Sequence, residues 1–238
     1  MFDEVGTEGP DTSKKGAKRA AEPNAKPQSA QVSGVVLAGG LSRRMGGDNK
    51  SLKQIGGRPL IAHILDRISP QASPVIINAN GDAGAYSGFK NPVVPDSIDG
   101  FAGPLAGVLT GMLWAKANVP TAKWIVTVAV DTPFFPDDLV TRFVAAASDD
   151  PNKIILAKSG GKLHPVFGLW PISLADDLAE WLATGTNRKV LAWVDRHELM
   201  GVDFADIDIG GTKRDPFFNV NTPEDLEAAE AIFSETVA

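Results

Sequence analysis

The 238-residue chain contains no cysteine. Disulfide bonds, thiolate nucleophiles and thiolate-ligated metal sites are therefore excluded, and we expect a cytoplasmic protein. Apolar runs such as Trp124–Val130 are far shorter than the roughly 20 residues that cross a bilayer. No basic segment leads into an apolar stretch and a small-residue cleavage site, so we expect neither a secretory signal nor a membrane partner.

An excess of positive charge is also lacking. Acidic residues outnumber basic residues by 29 to 23, which gives a net charge of −6 and a pI of about 5.1. A duplex-binding protein usually carries a basic surface that neutralises phosphates, so we predict no nucleic-acid partner. A smaller polyanion can still bind where cations and backbone amides are concentrated locally.

Composition divides the chain into two parts. Residues 1–31 are rich in Ala, Lys, Pro, Glu and Ser, and they show no periodic apolar face. Such a segment cannot bury enough apolar area to offset its chain entropy, so we predict a disordered N-terminal extension. Hydrophobic residues make up 43% of the sequence, enough for a core, and we predict a single domain over residues 32–238.

Strand and helix patterns alternate from Val32 onward. Short runs rich in β-branched residues predict strands, and periodic apolar segments, three of which begin at proline, predict helices. The predicted strands are Val32–Leu37, Val75–Ile77, Val93–Asp96, Trp124–Val130, Lys153–Ala157 and Val166–Trp170; the predicted helices are Pro59–Ile68, Pro104–Ala117, Pro136–Ala147, Leu174–Leu182 and Thr222–Phe233. This alternation predicts an α/β fold with three layers and a mainly parallel mixed sheet.

The strongest functional signal is the glycine-rich segment Leu37–Lys50, which follows the first predicted strand directly. Its glycines let the backbone approach a phosphate chain closely and aim several N–H groups at one point. Arg43, Arg44 and Lys50 add the fixed positive charge that phosphoryl oxygens need during transfer. The segment has neither a G-x-G-x-x-G pattern nor a Gly-Lys-Ser/Thr ending, which argues against a dinucleotide-binding loop and a P-loop.

Three predicted strands end in, or just before, a residue that can bind a polar ligand: Asn78, Asp96 and Asp131. In an open α/β sheet, ligands lie beyond the carboxyl ends of the strands. An amide can contact a base edge, and a single carboxylate suffices for Mg²⁺ that arrives with a triphosphate. Each of the three residues can equally serve as a turn or helix cap, so the residues alone leave both interpretations open.

Two later segments carry further candidate side chains. His164 opens the segment His164–Trp170, and Asn219 and Asn221 lie in the segment Phe217–Leu226. If the second segment is a strand, alternation places both amides on one face, where they can hold a polar ligand or metal-bound water. Capping of the following helix explains this segment without any ligand.

These segments resemble the molybdenum cofactor guanylyltransferases, a branch of a nucleotidyltransferase superfamily with a Rossmann-like fold. The resemblance covers about residues 34–226 and includes Leu37–Lys50, Gly103–Gly107 and Phe217–Leu226. It implies that GMP passes from GTP to Mo-molybdopterin, that pyrophosphate is released, and that Mg²⁺ is the cofactor. We further expect a monomer, with molybdenum insertion proteins and apo-molybdoenzymes as additional candidate partners.

The same resemblance implies roles for individual residues. The implied catalytic residues are Arg44, Lys50 and Asp131, of which Asp131 also holds the metal ion. The implied nucleotide-binding residues are Leu37, Ala38, Gly39, Gly47, Lys50, Asn78, Asp96 and Asp131, and the implied pterin-side residues are His164, Asn219 and Asn221. The family usually has aspartate directly before the loop lysine, whereas this chain has Asn49.

Three other functions share some of these motifs. The first is a cytidylyltransferase that uses CTP, although both glycine-containing motifs resemble the guanine-using branch. The second is a sugar-phosphate nucleotidyltransferase, against which the segment Asn219–Pro223 argues. The third is a carrier that delivers finished cofactor without catalysis, and an intact loop with its lysine and metal carboxylate argues against it.

Overall fold

A computed structural model of the chain describes residues 31–39, 49–98, 103–147, 150–185, 187–209 and 211–237. The predicted N-terminal extension lies outside these ranges except for Gln31, whose carbonyl accepts a 3.0 Å hydrogen bond from the Lys123 amide. The extension and the single domain therefore stay predictions. Within the described ranges, no helix is both long enough and apolar enough to cross a membrane.

The described part of the chain contains eleven strands and six α-helices. The strands are β1 (Val32–Leu37), β2 (Gln54–Ile55), β3 (Arg58–Pro59), β4 (Val75–Asn78), β5 (Val93–Val94), β6 (Trp124–Ala129), β7 (Ile154–Ser159), β8 (Lys162–Pro171), β9 (Leu199–Asp203), β10 (Ile207–Ile209) and β11 (Thr212–Arg214). The helices are α1 (Leu60–Ile68), α2 (Pro104–Asn118), α3 (Leu139–Ala146), α4 (Ala175–Thr184), α5 (Val190–Val194) and α6 (Pro223–Val237). Short 3₁₀ helices cover Lys50–Leu52, Ala83–Tyr86 and Ile172–Leu174.

Seven of the strands form the central sheet, in the order β5-β4-β1-β6-β8-β7-β9. Strand β8 runs antiparallel to its two neighbours, and every other neighbouring pair in this sheet is parallel. Strand β1 lies between β4 and β6, where Val35 pairs with Ile76 on one side and Thr127 on the other. The predicted α/β fold with a mainly parallel mixed sheet is confirmed.

Helices cover both faces of the sheet. Successive β1 side chains point to opposite faces, so each face presents apolar side chains to a helix layer. Val36 packs in one apolar cluster with Ile64 of α1 and Phe143 of α3. Val35 packs in a second cluster with Leu109 of α2. Full burial of one such side chain stabilises the fold by about 1.5–3 kcal/mol, so both faces hold the strand in place. The strand ends that carry the candidate residues are thereby fixed.

Helix α3 begins at Leu139 instead of the predicted Pro136. The segment before it is tied to α1, because the Arg67 guanidinium lies 2.6 Å from Asp137 and donates to the Phe135 carbonyl. A proline followed by acidic residues is typical of a first helical turn, but here this pattern belongs to the loop that leads into the helix.

The predicted strand through Asn219 and Asn221 is wrong, since residues 217–221 form a loop. Its buried residues are Phe217 and Val220, three positions apart, which does not follow the two-residue period of a strand. The Phe217 amide donates to the Asp215 carboxylate at 2.9 Å, which turns the chain at this point.

Candidate active site

The candidate site lies at the carboxyl ends of three neighbouring parallel strands. Leu37 is the last residue of β1, and it pairs in register with Asn78 at the end of β4 and Ala129 at the end of β6. Asp131 follows β6 by two residues. This edge is the crevice in which an open α/β sheet binds its ligands.

Backbone hydrogen bonds fix the start of the glycine-rich segment at this edge. The Ala38 amide donates to the Asn78 carbonyl at 2.9 Å, and the Val130 amide donates to the Leu37 carbonyl at 3.2 Å. Gly39 follows and is exposed. The predicted site residues Arg44 and Gly47 lie in residues 40–48, outside the described residues, so their roles stay predictions.

Lys50 joins the glycine-rich segment to two other parts of the site. Its ammonium donates to Asp131 Oδ2 at 2.8 Å and to Asn221 Oδ1 at 2.6 Å. The side chains of Lys50 and Asp131 are 17% and 25% exposed, so a ligand can reach both. The structure thus brings together three predicted site residues that are 81 and 171 positions apart in sequence.

Asn49 fixes the short helix that carries Lys50. Its Oδ1 accepts hydrogen bonds from the Ser51 amide at 3.1 Å and from Ser51 Oγ at 2.6 Å. Its Nδ2 donates to the Tyr86 hydroxyl at 3.1 Å, and that hydroxyl lies 2.9 Å from Ser51 Oγ. Because Ser51 Oγ donates its only hydrogen to Asn49, the Tyr86 hydroxyl is the donor to Ser51, and the three side chains close a ring of hydrogen bonds. In this chain, asparagine at position 49 therefore positions the lysine.

Thr132 links Asp131 to the loop that precedes α6. Its side chain is buried, and its Oγ1 lies 2.5 Å from Asn219 Oδ1 and 3.3 Å from Asp131 Oδ1. The Val220 amide donates to the Asp131 carbonyl at 2.8 Å. Asn219 and Asn221 therefore both lie beside Asp131, although their segment is not a strand. The sequence pattern did not single out Thr132.

Asn78 and Asp96 meet at the ends of β4 and β5. The Asn78 Nδ2 group donates to the Val94 carbonyl at 3.1 Å and to Asp96 Oδ1 at 3.0 Å, so both of its hydrogens are used within the protein. Asn78 is 3% exposed, whereas Asp96 is half-buried. Of the two predicted nucleotide-binding residues, Asp96 is the more accessible.

Gly107 in α2 lets the helix approach these strand ends. A Cβ atom at position 107 would lie 2.4 Å from Asn78 Oδ1 and 2.5 Å from Leu37 Cδ2. Both distances are far below van der Waals contact, and both neighbours are predicted site residues. Gly107, the second glycine of the motif Gly103–Gly107, is therefore required for packing at the site.

We expect Gly107→Ala to lower the free energy of unfolding by about 1–3 kcal/mol through overpacking. The sign of this change in the free energy of unfolding is informative, because alanine usually stabilises a helix interior by about 1 kcal/mol relative to glycine. Urea unfolding measures the difference. Gly88→Ala is the control, since no heavy atom lies within 4 Å of its added Cβ. Equal free energies for the two variants would contradict the packing described above.

His164 lies on β8 and is held by contacts within the protein. Its Nε2 is 2.6 Å from Ser159 Oγ, and its ring stacks on Phe217 with centroids 4.4 Å apart. Because Ser159 Oγ donates its hydrogen to Asp215 at 2.9 Å, His164 Nε2 is the donor to Ser159. Burial lowers the pKa of His164 below its ordinary value, and the Asp215 charge opposes this shift. These contacts tie β8 to the loop of Asn219 and Asn221.

The residues at this edge fit a metal ion that arrives with a nucleotide. Among the described residues, no group of three or more His, Cys, Asp or Glu could hold a metal ion. Asp131 instead offers a single accessible carboxylate. Mg²⁺ on a triphosphate usually takes roughly one or two protein carboxylates, with water and phosphate oxygens as its other ligands.

Comparison with known proteins gives the family. Residues 34–199 match the family model of the MobA-like NTP transferase domain. The molybdenum cofactor guanylyltransferase of Bradyrhizobium sp. (strain ORS 278) is 45% identical over 201 residues, which are 84% of this chain and 92% of that protein.

Two solved structures share the fold at lower identity. Molybdopterin-guanine dinucleotide biosynthesis protein A from Archaeoglobus fulgidus gives a TM-score of 0.65 at 21% identity, covering 85% of this chain and 99% of that chain. Rv0371C from Mycobacterium tuberculosis, solved as a complex with manganese, gives 0.58 at 21% identity, covering 84% and 98%. The family model and the identity to the Bradyrhizobium protein show that the chain belongs to the molybdenum cofactor guanylyltransferases.

Proposed function

We propose that this chain transfers GMP from GTP to the phosphate of Mo-molybdopterin and releases pyrophosphate. The observation that carries the proposal is the accessible pair of Lys50 and Asp131 at the carboxyl edge of the sheet, 2.8 Å apart and next to the glycine-rich segment. A cation and a carboxylate placed there are what a nucleotidyl transfer through a metal-bound triphosphate requires. The family to which the chain belongs supports the same reaction.

In the proposed reaction, a phosphate oxygen of the pterin attacks the α-phosphorus of GTP. The new P–O bond forms as the bond from the α-phosphorus to the bridging oxygen breaks, and the electron pair leaves with pyrophosphate. Two polyanions must meet, so charge neutralisation and alignment of the reactants contribute most of the rate enhancement. The attacking oxygen is already anionic, so no protein nucleophile and no strong general base are needed.

Lys50 can contact a phosphate without leaving Asp131. An ammonium has three N–H donors, of which Lys50 gives one to Asp131 and one to Asn221. Within the described residues, the third donor has no partner. In our proposal this donor binds a phosphoryl oxygen of GTP, while Arg44 and the amides of the glycine-rich segment bind others.

Asp131 is the residue that would hold Mg²⁺. Its Oδ2 accepts a hydrogen bond from Lys50. Its Oδ1 lies 3.3 Å from the Thr132 hydroxyl, but that hydroxyl is closer to Asn219, at 2.5 Å, and has only one hydrogen to donate. Oδ1 is therefore the oxygen available to a metal ion. When bound, the ion withdraws negative charge from the phosphate oxygens. The manganese in the structure of Rv0371C supports a divalent ion in this fold.

The loop of Asn219 and Asn221 forms the acceptor side of the proposed site. Both amide side chains lie next to Asp131, through Thr132 and Lys50. We place Mo-molybdopterin against this loop, with His164 supporting it from β8. We further propose that the chain acts as a monomer and passes its product to molybdenum insertion proteins or apo-molybdoenzymes.

Pyrophosphate release tests the proposal and separates the alternatives. The chain is incubated with Mo-molybdopterin, Mg²⁺ and GTP, CTP or ATP, and parallel reactions contain a sugar phosphate as the acceptor. We expect pyrophosphate with GTP and only when the pterin is present. Release with CTP or onto a sugar phosphate would favour the corresponding transferase, and GTP binding without release would favour a carrier.

A further inference from the structure

Asn80 lies two residues beyond the end of β4 and forms a two-bond pair with Asp96. Its Nδ2 donates to Asp96 Oδ2 at 2.8 Å, and its Oδ1 accepts from the Asp96 amide at 2.9 Å. Asn78 donates to the other carboxylate oxygen, Asp96 Oδ1, at 3.0 Å. Each oxygen of Asp96 therefore receives one amide hydrogen, and the plane of the carboxylate is fixed from both sides.

The negative charge of Asp96 is not neutralised by these contacts. Among the residues that the structure describes, no Lys, Arg or His nitrogen lies within 4.0 Å of Asp96. An ionised carboxylate offers about four lone-pair positions, of which the two asparagines use two. The remaining positions can accept two further hydrogens from a ligand.

The pair also lies close to the start of the glycine-rich segment. A Cβ atom at Gly39 would be 3.7 Å from Asn80 Nδ2. Asn80 is exposed and Asp96 is half-buried, so a ligand that approaches Gly39 can reach both residues. A group beside the phosphate-binding segment, with two acceptor positions in one plane, suits the base of the same nucleotide.

Guanine has the complementary edge, because its N1–H and its 2-amino group are adjacent donors. Adenine and cytosine present a ring nitrogen lone pair beside their amino group, and this lone pair would face the carboxylate. A site built to accept hydrogens rejects an analogue that lacks them, since its polar groups are then left unpaired. The orientation of Asp96 therefore determines how well the site selects guanine.

We propose that Asn80 is a positioning residue of the nucleobase pocket, which holds the Asp96 carboxylate in the plane that receives N1–H and the 2-amino group of guanine. This inference rests on the proposed function, since it takes GTP as the nucleotide. It adds a residue that has no contact with the reacting phosphates and acts through Asp96.

Calorimetric titration with GTP and ITP in the presence of Mg²⁺ tests the inference, because ITP keeps N1–H and lacks the 2-amino group. For Asn80→Ala we expect the Kd of GTP to rise about tenfold and that of ITP to rise less, so that the preference for GTP falls. The control is Asn91→Ala, which removes an amide that donates to the Val75 carbonyl at 2.9 Å, at the other end of β4. This variant should keep the wild-type preference.

A second variant, Asn80→Asp, separates the donor from the acceptor. It keeps an oxygen for the Asp96 amide but places a second carboxylate beside Asp96, so its preference for GTP should fall at least as far. In steady-state assays, both Asn80 variants should raise KM for GTP and leave kcat unchanged, since the base is remote from the α-phosphorus.

An Asn80→Ala variant with the wild-type ratio of Kd values would overturn the inference. The inference would also be overturned if Asn80→Ala kept the wild-type preference for GTP over ITP but lost the preference for GTP over 2′-deoxy-GTP. Asp96 would then bind the ribose and not the base. The proposed function fails on a different result, namely a wild-type chain that releases no pyrophosphate from GTP.

Discussion

Lys50→Ala is expected to lower kcat/KM for GMP transfer by about 10²–10³-fold, the range for loss of one preorganised donor to developing charge. In the folded protein the Lys50 ammonium is already placed by Asp131 and Asn221, at 2.8 and 2.6 Å, so it does not have to be ordered during the reaction. Its removal takes away a positive charge from the point where two polyanions meet. Initial rates of pyrophosphate release over a range of GTP concentrations measure the loss.

The matched control is Lys116→Ala, which removes a lysine from another lysine–aspartate pair. Lys116 and Asp176 lie 3.3 Å apart on the surface, and both side chains are more than half exposed. Lys116→Ala should change the free energy of unfolding by less than about 1 kcal/mol, as is usual for exposed ion pairs. Unchanged turnover in Lys50→Ala, or an equal loss in Lys116→Ala, would remove Lys50 from the proposed mechanism.

Asp131→Asn is expected to weaken Mg²⁺-dependent binding of GTP by about 100-fold or more, since even a residue that only orients a metal ligand contributes about 10–100-fold. The amide keeps the shape of the side chain but loses the charge that binds a divalent ion. The change also leaves Lys50 without its anionic partner. Titrations of GTP at a series of Mg²⁺ concentrations measure the effect.

Two comparisons separate a metal role from a general loss of structure. In EDTA, the wild-type chain and Asp131→Asn should bind GTP with much more similar affinity than in Mg²⁺. Asp176→Asn removes a surface carboxylate and should leave the Mg²⁺ dependence as in the wild type. If Asp131→Asn showed the same dependence of GTP affinity on Mg²⁺ concentration as the wild type, the assignment of Asp131 to the metal ion would be wrong.

The elements nearest the site could be predicted because their sequence patterns are local. Strands β1 and β6 are short runs of mostly apolar residues that are almost all buried, as expected for strands that helices cover on both faces. Helix α2 starts at Pro104, as the pattern predicts. The start of α3 was wrong because a tertiary contact, from Arg67 to Asp137, determines the conformation of the preceding segment.

Other elements left too little pattern to be predicted. Strands β2 and β3 contain two residues each, which is too short for any periodicity. Strand β9 is at the edge of the sheet and is only partly buried, so it lacks the apolar run of a central strand. The loop of Asn219 and Asn221 was misread because alternating polar residues resemble a strand, while its buried positions are Phe217 and Val220.

The types of site residues followed from the sequence, but their partners did not. Lys50, Asp131 and Asn221 were predicted separately, and the structure joins them. Thr132 and the ring of Asn49, Ser51 and Tyr86 were missed, since each depends on a contact between segments that are distant in sequence. Such contacts depend on the folded topology, and no local spacing indicates them.

The contact between Lys50 and Asn221 has a consequence for the order in which the protein is made. The two residues are separated by 171 positions, so a growing polypeptide on the ribosome carries the lysine long before the amide that receives it. The nascent chain can form β1, β4 and β6 in the meantime. Its lysine acquires its second anchor only after Asn221 has left the exit tunnel, which makes the completed cleft a late event of biosynthesis.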